Sequence, residues 1–140
     1  MNPDFLGVRE GCLEKLQPSQ MERLDSSIRM YPALISGAFF LRSTSRNGSI
    51  FSYPDEQTGV KQVIAWSRIF GDHEILCAIN LDQEKYAFIY VTVDEAMHPI
   101  DTSMKCLFAT DLSPAELNIE VRNGKAIRLT IPPYALVIYS

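Results

Sequence analysis

From Ala38 to Tyr139 the hydrophobic residues come in short pieces, each closed by glycine, proline, asparagine, aspartate or serine. That punctuation constrains the fold more than any other feature. A packed helix needs an unbroken periodic segment of about three turns, whereas a strand needs only about five or six residues between turns. The β-rich runs are 38–43, 62–70, 74–81, 86–93, 103–108, 118–122, 125–131 and 135–139. Two of the breaks are hairpin dipeptides. Gly71-Asp72 separates 62–70 from 74–81, and glycine tolerates the positive φ of a II′ turn; Asn123-Gly124 separates 118–122 from 125–131. The stretch 43–59, rich in Ser, Asn, Gly, Asp and Pro, predicts a long surface loop. About eight short strands at regular spacing predict an all-β fold, an antiparallel sandwich or barrel.

One helix precedes them. Ser19-Gln20-Met21-Glu22 has the spacing of a capping box, and Met21, Leu24 and Ile28 follow on one helical stripe. Pro32 ends it, because the residue before a proline is pushed out of the helical region. The spacing predicts a helix over 19–31 opening a domain over 19–140. Residues 1–18, with Pro3, Gly7, Gly11 and Pro18, show no period and are expected to form an N-terminal arm.

Strand side chains alternate between faces, so each run can be read as two rows. In 86–93, Ala87, Ile89, Val91 and Val93 share one face; Tyr86, Phe88 and Tyr90 share the other with Thr92. In 74–81 the apolar row is Ile75, Cys77, Ile79 and Leu81, and in 125–131 it is Ile127, Leu129 and Ile131 beside the Lys125 stem. Such rows build a two-layer core. The Tyr86/Phe88/Tyr90 row is the anomaly, left wet in a bare sandwich. Either the helix or a body outside the chain is expected to cover it, which makes these three residues the candidate partner interface.

Function classes narrow by exclusion. With 140 residues the chain is expected to be one domain, and its formal charge of −4 argues against a nucleic-acid binder and against an anionic membrane surface. The first residues have neither a basic nor an apolar signal region, and the apolar stretches 35–41 and 86–93 are far short of the roughly 20 residues a membrane helix needs. Cys12, Cys77 and Cys106 form no CxxC pair, so no zinc site or other metal is expected. Cys77 and Cys106 lie in apolar runs and are expected as inert thiols, pointing to a cytoplasmic protein. No cofactor motif occurs.

The densest titratable cluster is Asp72-His73-Glu74. Neighbours on a strand point to opposite faces and cannot converge on one ion, so a solvated hairpin tip is expected. His98, in a turn before Pro99, is expected at the surface. Asp94 and Glu95 are adjacent, whereas a glycosidase pair must flank one bond from two elements. No catalytic residue is assigned. Among the aromatics, Trp66, Tyr53 and Phe51, with Tyr86 and Tyr90, either stack on sugar rings or pack in a core. Tyr53 and Phe51, in the long loop, are the least explained by a core.

Tyr31-Pro32-Ala33-Leu34-Ile35-Ser36-Gly37-Ala38-Phe39 resembles the segment that leaves the last barrel helix of alpha-amylase-type glycoside hydrolases and enters their C-terminal all-β domain. Val63-Ile64-Ala65-Trp66-Ser67-Arg68 and Glu74-Ile75-Leu76-Cys77-Ala78-Ile79-Asn80 look like that domain's first paired strands. Tyr90-Val91-Thr92-Val93-Asp94, Lys105-Cys106-Leu107-Phe108 and the closing 129–139 are similar to its later ones. The resemblance covers roughly 19–140 and implies an antiparallel Greek-key β-sandwich of about eight strands behind a barrel helix. It also implies that the family's catalytic aspartates and glutamate, which sit on the barrel, have no counterpart here. The expected function is a non-catalytic accessory or interaction domain, its partner a barrel chain. The alternatives are a starch- or maltooligosaccharide-binding module using Trp66, Tyr53 and Phe51, or a structural homodimer that buries the orphan row.

Overall fold

The computed structural model describes residues 17–140, so the expected arm lies outside the described residues except at its end. Helix α1 spans Pro18–Met30, followed by a single turn, α2, over Ala33–Ser36. The start of α1 differs from the expected Ser19/Glu22 box. Pro18, with φ already fixed near the helical value, takes the first helical position. Gln17 therefore becomes the N-cap, and its N–H donates to Gln20 Oε1 at 2.7 Å. At the other end Tyr31 N donates to Ser27 O, and Pro32 stops the helix as expected.

Nine strands follow among the described residues: β1 Ala38–Leu41, β2 Thr44–Ser45, β3 Val63–Phe70, β4 His73–Asn80, β5 Ala87–Val93, β6 Ser103–Ala109, β7 Glu116–Asn118, β8 Lys125–Ile131 and β9 Leu136–Tyr139. They form two antiparallel sheets, one ordered β1-β3-β4-β9-β6-β7 and one ordered β2-β5-β8. The all-β sandwich is the expected class. Two departures are local. The loop after β1 contains a two-residue strand, β2, which pairs with β5 through Thr44↔Val91 and Ser45↔Tyr90. The expected strand over 118–122 does not form a hairpin ladder with β8. Asn123 and Gly124 take positive φ and turn the chain as the dipeptide predicts, but a single bridge, Glu120↔Ala126, joins the two arms. The ladder partner of β8 is β5, over Ala87↔Ile131 to Val93↔Lys125, and β7 pairs with β6 instead. The tertiary pairing buries Ile89, Val91, Ile127 and Leu129 together, and this outweighs the local turn preference.

The central strands of the six-stranded sheet are buried on both faces. Its inner face, with Val63, Ala65, Leu76 and Val137, meets Ile89, Val91, Ile127 and Leu129 of the smaller sheet. Its outer face, with Trp66, Ile75, Cys77, Ile79 and Ile138, lies under Leu24 of α1 and Leu34 of α2. Every residue of β4 after His73 is therefore buried. Leu24 is the one fully buried residue of α1, while Met21 and Ile28 are half-buried. Burying such a leucine contributes about 2 kcal/mol to docking the helix. The helix thus covers the larger sheet and leaves the Tyr86/Phe88/Tyr90 row uncovered.

Gly37 sets the approach of α2 to β3. A Cβ there would lie 2.7 Å from Ala33 O and 3.0 Å from Ile69 N, both backbone atoms that cannot swing aside. Gly37→Ala is expected to cost about 1–3 kcal/mol, as overpacking does, read as a lower midpoint in a urea melt. A variant as stable as the parent would show that the two elements can move apart freely.

Candidate functional site

The outer face of the β2-β5-β8 sheet carries the row that the alternation of β5 predicts. Tyr86 is 54% exposed and Phe88 51%. Their rings lie nearly parallel, with centroids 6.2 Å apart. The register places Arg128 opposite Tyr90 and Thr130 opposite Phe88. The Arg128 guanidinium sits 5.7 Å from the Phe88 centroid, and Arg122 covers Tyr90 at 4.6 Å. Arg122 is held there by Glu120, with Nε to Oε1 at 3.0 Å, and reaches Gly48 O at 3.3 Å. Tyr90 is consequently half-buried, and the free part of the row is Tyr86 and Phe88. Flat apolar rings bordered by guanidinium groups make a surface that can take a planar or apolar partner. At Tyr86 it borders a hollow of about 570 Å³ that Arg46, Gln62, Asp82 and Lys85 also line.

The other candidate residues do not gather. Trp66 is fully buried beneath the helices, on the opposite side of the molecule's larger sheet from the core shared with β5. Its ring has no free face for a sugar, so Trp66 is corrected to a packing residue. The cause is register: Trp66 pairs with Cys77 in the row that α1 and α2 cover. Tyr53 is 42% exposed and Phe51 half-buried, both in the loop between β2 and β3. That loop is tightly folded. Glu56 N donates to Tyr53 O, Gly59 N to Glu56 O, and Lys61 Nζ reaches Pro54 O and Glu56 O. Beside it lies a hollow of about 610 Å³ lined by residues that include Thr44, Arg46, Ile50 and Gln62, but neither Tyr53 nor Phe51 lines it.

The cluster at the β3–β4 turn separates as the alternation requires, but not into a solvated tip. Asp72 and His73 are exposed; Tyr31 stacks on the His73 ring at 6.3 Å, and His73 Nε2 meets Ser140 Oγ at 2.8 Å. Glu74 turns inward and is 3% exposed. Its Oε2 accepts from Arg42 Nη2 at 2.6 Å and Ser67 Oγ at 2.5 Å. Its Oε1 accepts from Asp94 N at 3.0 Å and pairs with His98 Nε2 at 2.7 Å. His98, expected as surface decoration, is thus an inward residue that ties the β5–β6 connection to β4. Burial raises the Glu74 carboxyl, but His98, Ser67, the Asp94 N–H and Arg42 together outweigh it and hold the pKa at about 2. Both oxygens are taken by protein donors, leaving no lone pair free for a ligand. The group ties β4 to Arg42, to Ser67 of β3 and to the β5–β6 connection. A legible signal existed: Glu74 shares its row with Leu76 and Ala78, an inward face, where a carboxylate needs buried partners.

Burial pushes the Cys77 thiol up to about 12 and raises that of half-buried Cys106, so neither is a ready nucleophile; Cys12 lies outside the described residues. Among the described residues no group of His, Cys, Asp and Glu could hold a metal ion, and no helix is long and apolar enough to cross a membrane.

No family model matches the chain, and no curated protein does. Solved structures do. Two structures of a debranching enzyme from Nostoc punctiforme are similar to it. One has a TM-score of 0.57 at 20% identity, covering 99% of this chain and 24% of the enzyme. The other has a TM-score of 0.56 at 21% identity, covering 84% and 20%. An alpha-amylase from H. orenii gives a TM-score of 0.52 at 16% identity, covering 86% of this chain and 19% of that one. The chain therefore has the fold of one part of these enzymes and spans about a fifth of their length.

Proposed function

We propose that this polypeptide is a non-catalytic accessory β-domain of the alpha-amylase type, the C-terminal sandwich that accompanies a catalytic barrel. The observation that carries the reading is the fold match to about a fifth of a debranching enzyme and of an alpha-amylase. The site chemistry supports it. Glu74, the one deeply buried carboxylate among the described residues, is saturated by protein donors. The outer face of the β2-β5-β8 sheet, with Tyr86, Phe88 and Tyr90, is the surface it offers to a barrel body. A Greek-key path goes with this reading, supported by the pairing of β4 with the distant β9. So does a cytoplasmic location, supported by the free thiols of Cys77 and Cys106.

Glycan binding by Tyr53 and Phe51 is the second reading, favoured by the exposure of Tyr53. One pair of measurements separates the two. Pure protein incubated with starch or maltooligosaccharide is expected to release no reducing sugar, and any release removed by no contaminant control would overturn the accessory reading. In affinity electrophoresis through amylose the mobility is expected to be unchanged. Retardation abolished by Tyr53→Ala would install the glycan reading in its place.

A further inference from the structure

Strand β1 is the exposed edge of the six-stranded sheet, and all four of its residues, Ala38, Phe39, Phe40 and Leu41, are exposed. Its register fixes which backbone groups are free. Arg42 N donates to Ala65 O, which makes Arg42↔Ala65 a hydrogen-bonded pair. By the alternation of antiparallel ladders, Phe40↔Ser67 and Ala38↔Ile69 are bonded pairs as well. The N–H and C=O of Phe39 and Leu41 therefore point away from the sheet.

Large apolar side chains are exposed in this strand and in the elements beside it. Phe39 is 48% exposed, Phe40 46%, Leu41 38%, Ile35 of α2 45% and Phe70 at the end of β3 69%. Phe39 and Leu41 stand on the helix side of the sheet and Phe40 on the other, so both faces of the edge carry large apolar side chains, with the Arg68 guanidinium 5.1 Å from the Phe39 ring and that of Arg42 5.7 Å from the Phe40 ring. With large side chains of about 150–250 Å² each, these residues present on the order of 500 Å² of apolar surface. That is at the upper end of what a monomer ordinarily exposes and, with backbone pairing added, approaches the roughly 800 Å² per partner of a standard interface. No charged side chain or proline lies within β1 to blunt it.

We propose that β1 is the pairing strand of a symmetric dimer, in which β1 of a second copy runs antiparallel beside it about a twofold axis through Phe40. This register is selected by the free backbone groups. With Phe40 opposite Phe40 of the second copy, Phe39 faces Leu41 on each side, and the outward N–H and C=O groups form four hydrogen bonds. An axis through Phe39 would instead require Gly37, whose N–H is already given to Ala33 O and whose carbonyl accepts from Arg68 Nη1. In the chosen register Arg42 lies across from Ala38; its guanidinium sits over the Phe40 ring at 5.7 Å and is neutralised by its ion pair with Glu74. Because both copies use the same edge, the assembly closes at two instead of growing along the other edge, β7. The inference does not rest on the accessory reading, which uses the other sheet.

The test uses the 140-residue chain. Across the micromolar range it is expected to sediment at about twice the monomer mass, and Phe88→Ser is expected to leave that unchanged. A proline at position 39 removes an N–H that serves only the second copy; such a residue is tolerated at an edge. Phe39→Pro is therefore expected to fold and sediment as a monomer. In a Cys12→Ser, Cys106→Ala background, Phe40→Cys is expected to become a disulfide dimer on mild oxidation, since the two Cβ atoms at the axis lie about 5 Å apart. Leu112→Cys, on a fully exposed loop, is expected not to. A parent chain that is monomeric throughout, a dimer that survives in Phe39→Pro, or equal cross-linking at positions 40 and 112 would each overturn the proposal, the first by leaving the edge to a different body.

Discussion

Replacing Glu74 with glutamine is expected to lower the melting temperature at neutral pH by about 10 °C, from a loss of about 3 kcal/mol. The magnitude follows from the carboxyl itself, whose pKa falls from an ordinary 4.5 to about 2 on folding. Glutamine keeps the shape and loses the charge. Its amide must turn one N–H toward Arg42 or toward the Asp94 N–H and His98 side, so a buried donor faces a donor at 2.6–3.0 Å. Arg42 is only 17% exposed on its side chain and would be left without a carboxylate. Removing one partner from such a pair is far costlier than never having built it.

The same residue fixes the direction of the acid response. A carboxyl whose pKa is lower in the folded chain gives its full contribution above the unfolded value. That contribution is lost as pH falls from about 4.5 toward about 2. The parent protein is therefore expected to lose its advantage over Glu74→Gln across that interval, with the two melts converging at its lower end. Urea midpoints taken from pH 7 downward check this. Equal stability at pH 7, or a gap that does not narrow on acidification, would mean that the four donors around Glu74 do not stabilise its charge.

Much of the fold was legible because it rests on period two and on turn chemistry. The β3–β4 hairpin at Gly71, with φ of 62°, and the inward row Ala87, Ile89, Val91, Val93 were both readable from residue order alone. What was not legible depends on which strand lies beside which. The β7–β6 ladder in place of a β7–β8 hairpin is decided by distant contacts. So is the structural role of Glu74: its partners come from three separate places in the chain, Arg42 after β1, Ser67 in β3, and Asp94 and His98 in the β5–β6 connection, and no local pattern announces their meeting. The candidate surface was half legible. The exposed row on β5 came from alternation, but the arginines over it come from β8 and the turn before it, and the free edge at β1 appears only once the sheet order is known.

Trp66 shows most sharply how register decides between two chemistries. As an aromatic on a β-strand it is equally suited to a sugar platform or a core. Its pairing with Cys77 puts it under Leu24 and Leu34 with no exposed surface. Truncating it to alanine is expected to cost about 3–5 kcal/mol, a fall of roughly 10–20 °C in melting temperature. Trp66→Phe is expected to cost within about 1 kcal/mol, because the buried indole N–H has no partner and its removal relieves a desolvated donor. A surface platform behaves in the opposite way, with stability indifferent to alanine and binding sensitive to it. As the sole tryptophan, Trp66 also supplies its own readout. Its emission is expected to be that of a buried indole, to stay fixed as maltooligosaccharide is added, and to shift red only when the fold melts. An alanine variant as stable as the parent, or an emission that moves with sugar while the fold is intact, would return this residue to the surface.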